Sequence, residues 1–165
     1  MTGAYLSLGS NIGDKKKNLL DAFVQISKLG NIKGSHIYRT EPWGKEDMPE
    51  FLNACVSVKT ELDIRKLFDS LCSIEEKMGR KRKEKWGNRI IDIDFLLSGQ
   101  TIFKSSTLTI PHPYLRERNF YLKPLLELAK EEREPVSGEK IETLLYTCRD
   151  KKRVWKTGNT LRLKV

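Results

Sequence analysis

The chain has 165 residues, with 31 Lys and Arg against 22 Asp and Glu, so its formal net charge is +9. This length fits one compact domain that can bury a core without disulfides or a structural metal. The apolar runs are only a few residues long, which excludes a membrane-spanning helix of about 20 residues.

The cysteines and the first residues indicate where the protein works. Cys55, Cys72 and Cys148 are far apart and match neither a disulfide framework nor a zinc site. The first residues lack the charged and apolar regions of a secretion signal. We therefore expect a cytoplasmic protein with reduced thiols. Its positive charge predicts an anionic partner: nucleic acid, an anionic membrane or a phosphorylated small molecule.

The first forty residues predict a strand, a helix and a second strand. Alternation over residues 4–8 is typical of a strand, and helical spacing follows over residues 19–29. Asp14 is placed to cap the start of that helix, and Gly30 is placed to end it. The second strand is expected over residues 35–40.

The middle of the chain begins with a long loop at residues 41–50, which contains two prolines and a glycine. Alternation then predicts a strand over residues 51–59. An apolar stripe predicts a helix over residues 64–78, and Gly79 is placed to end it. Residues 80–89, which follow, are densely basic.

The rest of the chain predicts a strand over residues 90–97 and helices over residues 120–129 and around 141–145. Because helices or irregular loops separate the strands, we expect an α+β layered fold. We expect a single domain over residues 1–148. The basic tail at 149–165 is either an added edge segment or disordered.

Two carboxylates lie two positions apart in the strand at residues 90–97. Because side chains alternate along a strand, Asp92 and Asp94 project from the same face, about 6.6–6.8 Å apart along the chain. Such a pair can hold Mg²⁺, which prefers oxygen ligands, and two-metal sites have their ions about 3.5–4 Å apart. The alternative is a solvated polar face of an amphipathic strand.

The basic stretch before that strand contains one acid, Glu84, and six basic residues: Arg80, Lys81, Arg82, Lys83, Lys85 and Arg89. Arginine binds phosphate oxygens in a bidentate manner, so the stretch predicts a phosphate site. A solubilising surface loop or a nucleic-acid patch would have the same composition. A nucleoside triphosphate with Mg²⁺ satisfies the cations and the two aspartates at once.

Several single residues also suggest binding roles, each with a structural alternative. His112 is held between two prolines and either contacts phosphate or is structural. Glu75 lies on the apolar stripe of its helix and needs a partner, and an ion pair with Arg80 or Arg82 is the structural alternative. Phe51 and Asn53 share one strand face, where they either recognise a flat heterocycle or simply pack.

Together these motifs resemble those of the 6-hydroxymethyl-7,8-dihydropterin pyrophosphokinase family. The resemblance covers about residues 3–148 and depends on segments that occur in order: Leu8-Gly9-Ser10-Asn11, Tyr38-Arg39-Thr40-Glu41-Pro42, Phe51-Leu52-Asn53-Ala54, Trp86 through Asp94, and Pro111-His112-Pro113. It implies a ferredoxin-like α/β/α sandwich around a four-stranded antiparallel sheet. It also implies pyrophosphate transfer from ATP to the hydroxymethyl group of the pterin, with release of AMP.

The resemblance further implies a role for each matched residue. Asp92 and Asp94 would hold two Mg²⁺ ions. The phosphates would be contacted by Arg80, Arg82, Arg89, His112 and Arg118. Glu75, Trp86 and Thr109 match positions near the nucleotide. The pterin would lie between Phe51 and Phe120, with Asn53 on its edge and further contacts from Thr40 and Trp43.

Two alternatives from other functional classes stay open at the level of the sequence. An RNA-binding module would use the cations, but the aromatic-rich strand of that class is missing and two aspartates would face the RNA. A nucleotide sensor without activity would have no need of both aspartates. We expect a monomer that acts on small molecules, with no nucleic-acid or membrane partner.

Overall fold

The computed structural model describes residues 1–42, 47–80 and 88–164. Over these residues the chain forms an α+β fold with antiparallel strands. Its strands are β1 (Thr2–Ser10), β2 (Asn31–Gly34), β3 (His36–Thr40), β4 (Phe51–Thr60), β5 (Asp92–Leu97), β6 (Phe103–Lys104), β7 (Thr109–Ile110) and β8 (Val154–Thr160). Its helices are α1 (Lys15–Ser27), α2 (Ile64–Lys77), α3 (Asn119–Leu128) and α4 (Ile141–Thr147).

Six of the described strands form one sheet in the order β5-β1-β4-β3-β8, with β2 also paired to β4. The expected four-stranded sheet is therefore wrong in its strand count. The predicted second strand corresponds to β3, whereas β2 before it was not predicted. Ser35 lies between these two strands, and its Oγ accepts a hydrogen bond from Cys55 N. Part of the tail adds β8 at the edge beside β3.

Helices cover both faces of this sheet. On one face, α1 and α2 pack against the sheet through Leu19, Phe23 and Leu71, all of which are buried. On the other face, α3 and α4 pack through Leu122 and Ile141. Because both faces are covered, β4 is buried on both sides along most of its length, and the simple inside–outside alternation expected there is lost.

Two of the three predicted helix boundaries are confirmed. The Asp14 carboxylate accepts a hydrogen bond from Lys17 N at 3.1 Å, which confirms the N-cap of α1. Gly79 follows α2 with φ 90°, the left-handed conformation of a C-terminal glycine. Gly30 does not end the helix as predicted, since α1 ends at Ser27. A Cβ there would lie 2.2 Å from the carbonyl oxygen of Lys59, so glycine is required for the close approach to β4.

Candidate active site

A cavity of about 230 Å³ is lined by residues of β1, β3, β4 and β5 and by the start of α3. The sequence-predicted site residues that line it are Thr40, Phe51, Asn53, Arg89, Asp92, Asp94, His112, Arg118 and Phe120. These residues come from five separate segments of the chain. The fold therefore brings the predicted carboxylates, cations and aromatic side chains to one place.

The two carboxylates lie at the start of β5 and both face the cavity. Their partners across the ladder on β1 are small, since Asp92 is opposite Gly9 and Asp94 is opposite Ser7. A Cβ at Gly9 would lie only 2.7 Å from the side-chain oxygen of Asn53. Glycine at this position therefore leaves room for Asn53 and for whatever binds beside the carboxylates.

Asp92 is held between two guanidinium groups. Arg80 Nη1 lies 2.9 Å and Arg89 Nη1 3.1 Å from Asp92 Oδ1. Burial and the nearby charge of Asp94 raise the pKa of Asp92, while the charges of Arg89 and Arg80 oppose that shift. Asp92 Oδ1 is therefore held by two ion pairs, with which a bound cation would have to compete.

Arg80 is in turn held by Glu75, a carboxylate that is only 4% exposed. Arg80 Nη1 donates to Glu75 Oε1 at 2.5 Å, and the same oxygen accepts a hydrogen bond from Ile93 N at 2.7 Å. Burial raises the pKa of Glu75 to about 7, against the lowering effects of the Arg80 charge and the Ile93 hydrogen bond. The predicted ion pair between Glu75 and Arg80 is confirmed.

The loop after β1 fixes the backbone of Arg89. Asn11 Oδ1 accepts a hydrogen bond from Arg89 N at 2.6 Å, and Asn11 N donates to Arg89 O at 3.1 Å. Asn11 Nδ2 also donates to Asn88 Oδ1 at 3.3 Å. The Gly-Ser-Asn turn is not one of the common phosphate-binding loops. It instead positions Arg89, one of the cations that line the cavity.

Tyr121 connects Asp94 to Arg118. Its hydroxyl donates to Asp94 Oδ2 at 2.6 Å and accepts a hydrogen bond from Arg118 Nη1 at 2.8 Å. Burial and the charge of Asp94 raise the pKa of Tyr121 well above its usual value, so the phenol keeps its proton. Sequence reasoning missed this residue, because a tyrosine beside Phe120 on an apolar helix is indistinguishable from core.

His112 lies between these groups and is neutral at pH 7. Burial, together with the positive charge of Arg118, lowers its pKa to about 4. Its Nδ1 accepts a hydrogen bond from Tyr114 N at 3.1 Å, which leaves Nε2 as the protonated nitrogen. A neutral imidazole can donate one hydrogen bond to an anion without adding charge.

The other part of the cavity is aromatic and amide-lined. Phe51 and Phe120 both line it, together with Asn53 and Thr40. Asn53 Nδ2 donates to Thr40 Oγ1 at 2.6 Å, and both residues are almost fully buried. That bond fixes the orientation of the Asn53 amide, so its polar groups have a defined direction at the cavity wall.

Other predicted residues lie elsewhere. Among the described residues, Glu75, Arg80 and Thr109 do not line the cavity, although Arg80 reaches it through Asp92. Trp43, Arg82 and Trp86 fall outside the described residues. Further lining residues that the sequence did not suggest are Glu41, Met48, Tyr114 and Tyr121.

The described residues also limit other readings of the chain. In residues 1–42, 47–80 and 88–164, no cluster of three or more His, Cys, Asp or Glu side chains could hold a metal ion by itself. None of the helices in these ranges is long and apolar enough to cross a membrane. A cation at this site would therefore need ligands from a second molecule or from water in addition to the aspartates.

Comparison with known proteins agrees with this geometry. Residues 5–130 match the model of the 7,8-dihydro-6-hydroxymethylpterin-pyrophosphokinase (HPPK) family. The chain belongs to this family of pyrophosphokinases. It is 45% identical over 132 residues to the 2-amino-4-hydroxy-6-hydroxymethyldihydropteridine pyrophosphokinase of Methylorubrum extorquens, covering 78% of this chain and 84% of that protein. The Bacillus subtilis protein of the same name is 38% identical over 157 residues, 93% of this chain and 90% of the relative.

Solved structures show the same fold at lower identity. The crystal structure of Plasmodium falciparum HPPK-DHPS superposes on 88% of this chain with a TM-score of 0.67 and 19% identity. This chain spans 43% of that longer protein. The α+β arrangement with an antiparallel sheet is therefore the fold of solved HPPK structures.

Proposed function

We propose that this chain transfers pyrophosphate from Mg-ATP to the hydroxymethyl group of 6-hydroxymethyl-7,8-dihydropterin and releases AMP, a reaction of folate biosynthesis. The observation that carries the proposal is a single cavity with an aspartate pair and guanidinium groups beside an aromatic and amide-lined surface. One end suits a polyanion and the other suits a flat heterocycle, as transfer between such substrates requires. The names of the relatives and the family match support it independently.

The heterocycle end would hold the pterin. Phe51 and Phe120 offer two aromatic faces for stacking, and Asn53 offers an amide edge for hydrogen bonds. Thr40 supports the Asn53 amide and lies beside it in the wall. Trp43 lies outside the described residues and belongs to this group by the family resemblance.

Asp92 and Asp94 fit a magnesium site. Both are oxygen donors on the cavity wall, and a cation at Asp92 Oδ1 would compete with the ion pairs to Arg80 and Arg89. Mg²⁺ typically takes one or two carboxylates and completes its octahedral shell with water and substrate phosphates. When bound, the metal, two ions by the resemblance, would neutralise phosphate charge and orient the triphosphate.

The cations would bind the triphosphate. Arg89 and Arg118 line the cavity, His112 offers a neutral N–H donor, and Arg80 reaches the site at Asp92. Arg82 and Trp86 belong to the same proposal by resemblance. Glu75 is buried and does not touch the cavity, so we assign it to the placement of Arg80 and not to nucleotide contact. Thr109 does not line the described cavity, and we do not place it in the site.

The reaction follows from this placement. The pterin hydroxymethyl oxygen attacks the β-phosphorus of ATP and forms a new O–P bond, while the bond from the β-phosphorus to the α-phosphate oxygen breaks. That oxygen leaves with the electron pair as part of AMP, and the proton of the hydroxymethyl group is released to solvent. The arginines stabilise negative charge on the transferred group. Such electrostatic stabilisation is usually the largest contribution that a protein makes to catalysis of phosphoryl transfer. As expected from the family resemblance, we also propose a monomer that acts on small molecules, without nucleic acid.

The experiment is an assay for AMP from Mg-ATP by anion-exchange chromatography, with and without the hydroxymethyl-dihydropterin. We expect AMP and pterin pyrophosphate in equal amounts, and no AMP when either the pterin or Mg²⁺ is omitted. Release of ADP, or AMP formation that ignores the pterin, would contradict the proposed reaction. An RNA-binding function would instead give binding that weakens with salt and does not depend on Mg²⁺.

A further inference from the structure

Tyr121 is buried beside the metal-binding carboxylates, and none of the steps above uses it. Tyr121 is 1% exposed, and its hydroxyl lies between Asp94 and Arg118, which both line the cavity. The hydroxyl donates to Asp94 Oδ2 at 2.6 Å and accepts from Arg118 Nη1 at 2.8 Å. The phenol oxygen thus joins a carboxylate on β5 to a guanidinium at the start of α3.

The ring that carries this hydroxyl is fixed by its neighbours. The His112 ring packs edge-on against it at 5.0 Å between centroids, and the Phe120 ring lies at 4.6 Å. The start of α3 is itself anchored, because Asn119 N donates to Asp150 Oδ2 at 3.0 Å. Because these contacts hold the ring in place, the phenol can reach Asp94 in only one orientation. A residue that positions another side chain must itself be fixed in this way.

We propose that Tyr121 is the positioning residue that fixes the Asp94 carboxylate for Mg²⁺ and links it to Arg118. This inference rests on the proposed function. A carboxylate at the end of a side chain rotates freely unless an outer partner holds it. The hydrogen bond to Oδ2 fixes the plane of the Asp94 carboxylate. Among the described residues no hydrogen bond to the other oxygen, Oδ1, is present, so Oδ1 could bind the cation.

The link to Arg118 gives the bond additional strength. A hydrogen bond that a cation donates to the phenol oxygen polarises the O–H group, which then donates more strongly to Asp94. Loss of an outer partner of a metal ligand typically costs about 10–100-fold in metal affinity or activity. We therefore expect Tyr121 to affect the magnesium-dependent part of nucleotide binding and not the binding of nucleotide alone.

The test compares Tyr121→Phe with Tyr38→Phe. Tyr38 is a matched control, because it is also buried and its hydroxyl donates at 2.5 Å to a carboxylate of α3, Glu127, outside the cavity lining. Calorimetry measures the dissociation constant of α,β-methylene-ATP with and without Mg²⁺, in the absence of the pterin. A turnover assay measures the Mg²⁺ concentration for half-maximal AMP formation.

We expect Tyr121→Phe to weaken analogue binding about tenfold with Mg²⁺ and to leave binding without Mg²⁺ unchanged. The Mg²⁺ requirement of turnover should rise by a similar factor. Tyr38→Phe should match the wild type in both measurements, although both variants lose a buried hydrogen bond and melt at lower temperature. Tyr121→Met, in which a flexible apolar side chain fills much of the ring volume, should repeat the loss seen with phenylalanine.

Wild-type affinity in Tyr121→Phe with Mg²⁺ present, or an equal loss in Tyr38→Phe, would overturn the inference. A wild-type protein that binds the analogue no better with Mg²⁺ than without it would also overturn the inference. A failure of the proposed function alone looks different. In that case magnesium-dependent analogue binding stays intact, but the wild type forms no AMP when the pterin is added.

Discussion

Replacement of Glu75 by glutamine should change how the stability of the protein depends on pH. Glu75 is 4% exposed and accepts hydrogen bonds from Arg80 Nη1 and Ile93 N. Burial raises its pKa to about 7 from an ordinary value of 4.5. Glutamine has the same shape and keeps an acceptor oxygen, but it does not titrate.

The sign and size of the effect follow from proton linkage. The folded protein binds the Glu75 proton more tightly than the unfolded chain does, so stability falls as the pH rises from about 4.5 to about 7. At about 1.4 kcal/mol for each pH unit, the difference between these two pKa values corresponds to about 3 kcal/mol. The free energy of unfolding of the wild type, measured relative to Glu75→Gln, should therefore fall by about 3 kcal/mol between pH 4 and pH 8.

Urea unfolding at four or five pH values, in EDTA, measures this difference directly. Glu127→Gln is the control with the opposite sign. Burial opposes the shift at Glu127, but hydrogen bonds from Tyr38 and His36 leave its pKa below the usual value. The contribution of Glu127 is therefore present above its ordinary pKa and is lost as the pH falls. A Glu75→Gln difference that stays constant across the range would refute the raised pKa and the account of the buried pair.

Other changes test the remaining parts of the structure. Asp94→Asn should lower the rate of AMP formation by about 10²–10³-fold or more while the circular dichroism spectrum stays that of the wild type; near-normal turnover would exclude the carboxylate as a metal ligand. Arg153 donates from N and Nε to Glu41, a residue of the cavity wall, so Arg153→Ala should raise KM for the pterin a few-fold and leave KM for ATP unchanged in steady-state assays. Gly30→Ala should destabilise the protein by about 3 kcal/mol or more in urea unfolding, because its Cβ would meet a carbonyl oxygen at 2.2 Å. Gly3→Ala, which has open space around it, should stay within about 0.5 kcal/mol of the wild type.

The parts of the site that the sequence predicted are those in which the relevant residues are close in the chain. Asp92 and Asp94 face the same cavity because strand geometry alone places alternate residues on one side. Phe51 and Asn53 line the cavity together for the same reason. The Glu75 ion pair was predictable because a charge on an apolar helix stripe needs a partner, and the end of the same helix offers Arg80.

The parts that sequence reasoning missed depend on packing between distant segments. Tyr121 meets Asp94 across 27 residues, and Asn11 meets Arg89 across 78. Neither contact has a local signal, since each needs the docking of α3 or the loop after β1 against β5. The predicted number of strands was wrong for the same reason, because it too depends on contacts between distant segments. The pairing of β8 with β3 is set by the edge that β3 leaves open, and the tail composition does not reveal it.

The charge balance of the site shows how this chain can hold its cations before a substrate arrives. Arginines close together repel unless an anion is present, and here Asp92 lies within ion-pair distance of both Arg80 and Arg89. A cation that binds Asp92 competes with both guanidinium groups. Arg80 has a second acceptor in Glu75, which stays buried and can hold it when Asp92 turns to the cation. Arg89 has its backbone fixed by Asn11, so its guanidinium can turn to a phosphate without moving the chain. The pairing of Asp92 with Arg80 and Arg89 thus balances the guanidinium charges, and a metal ion on Asp92 together with phosphate on the arginines would keep that balance.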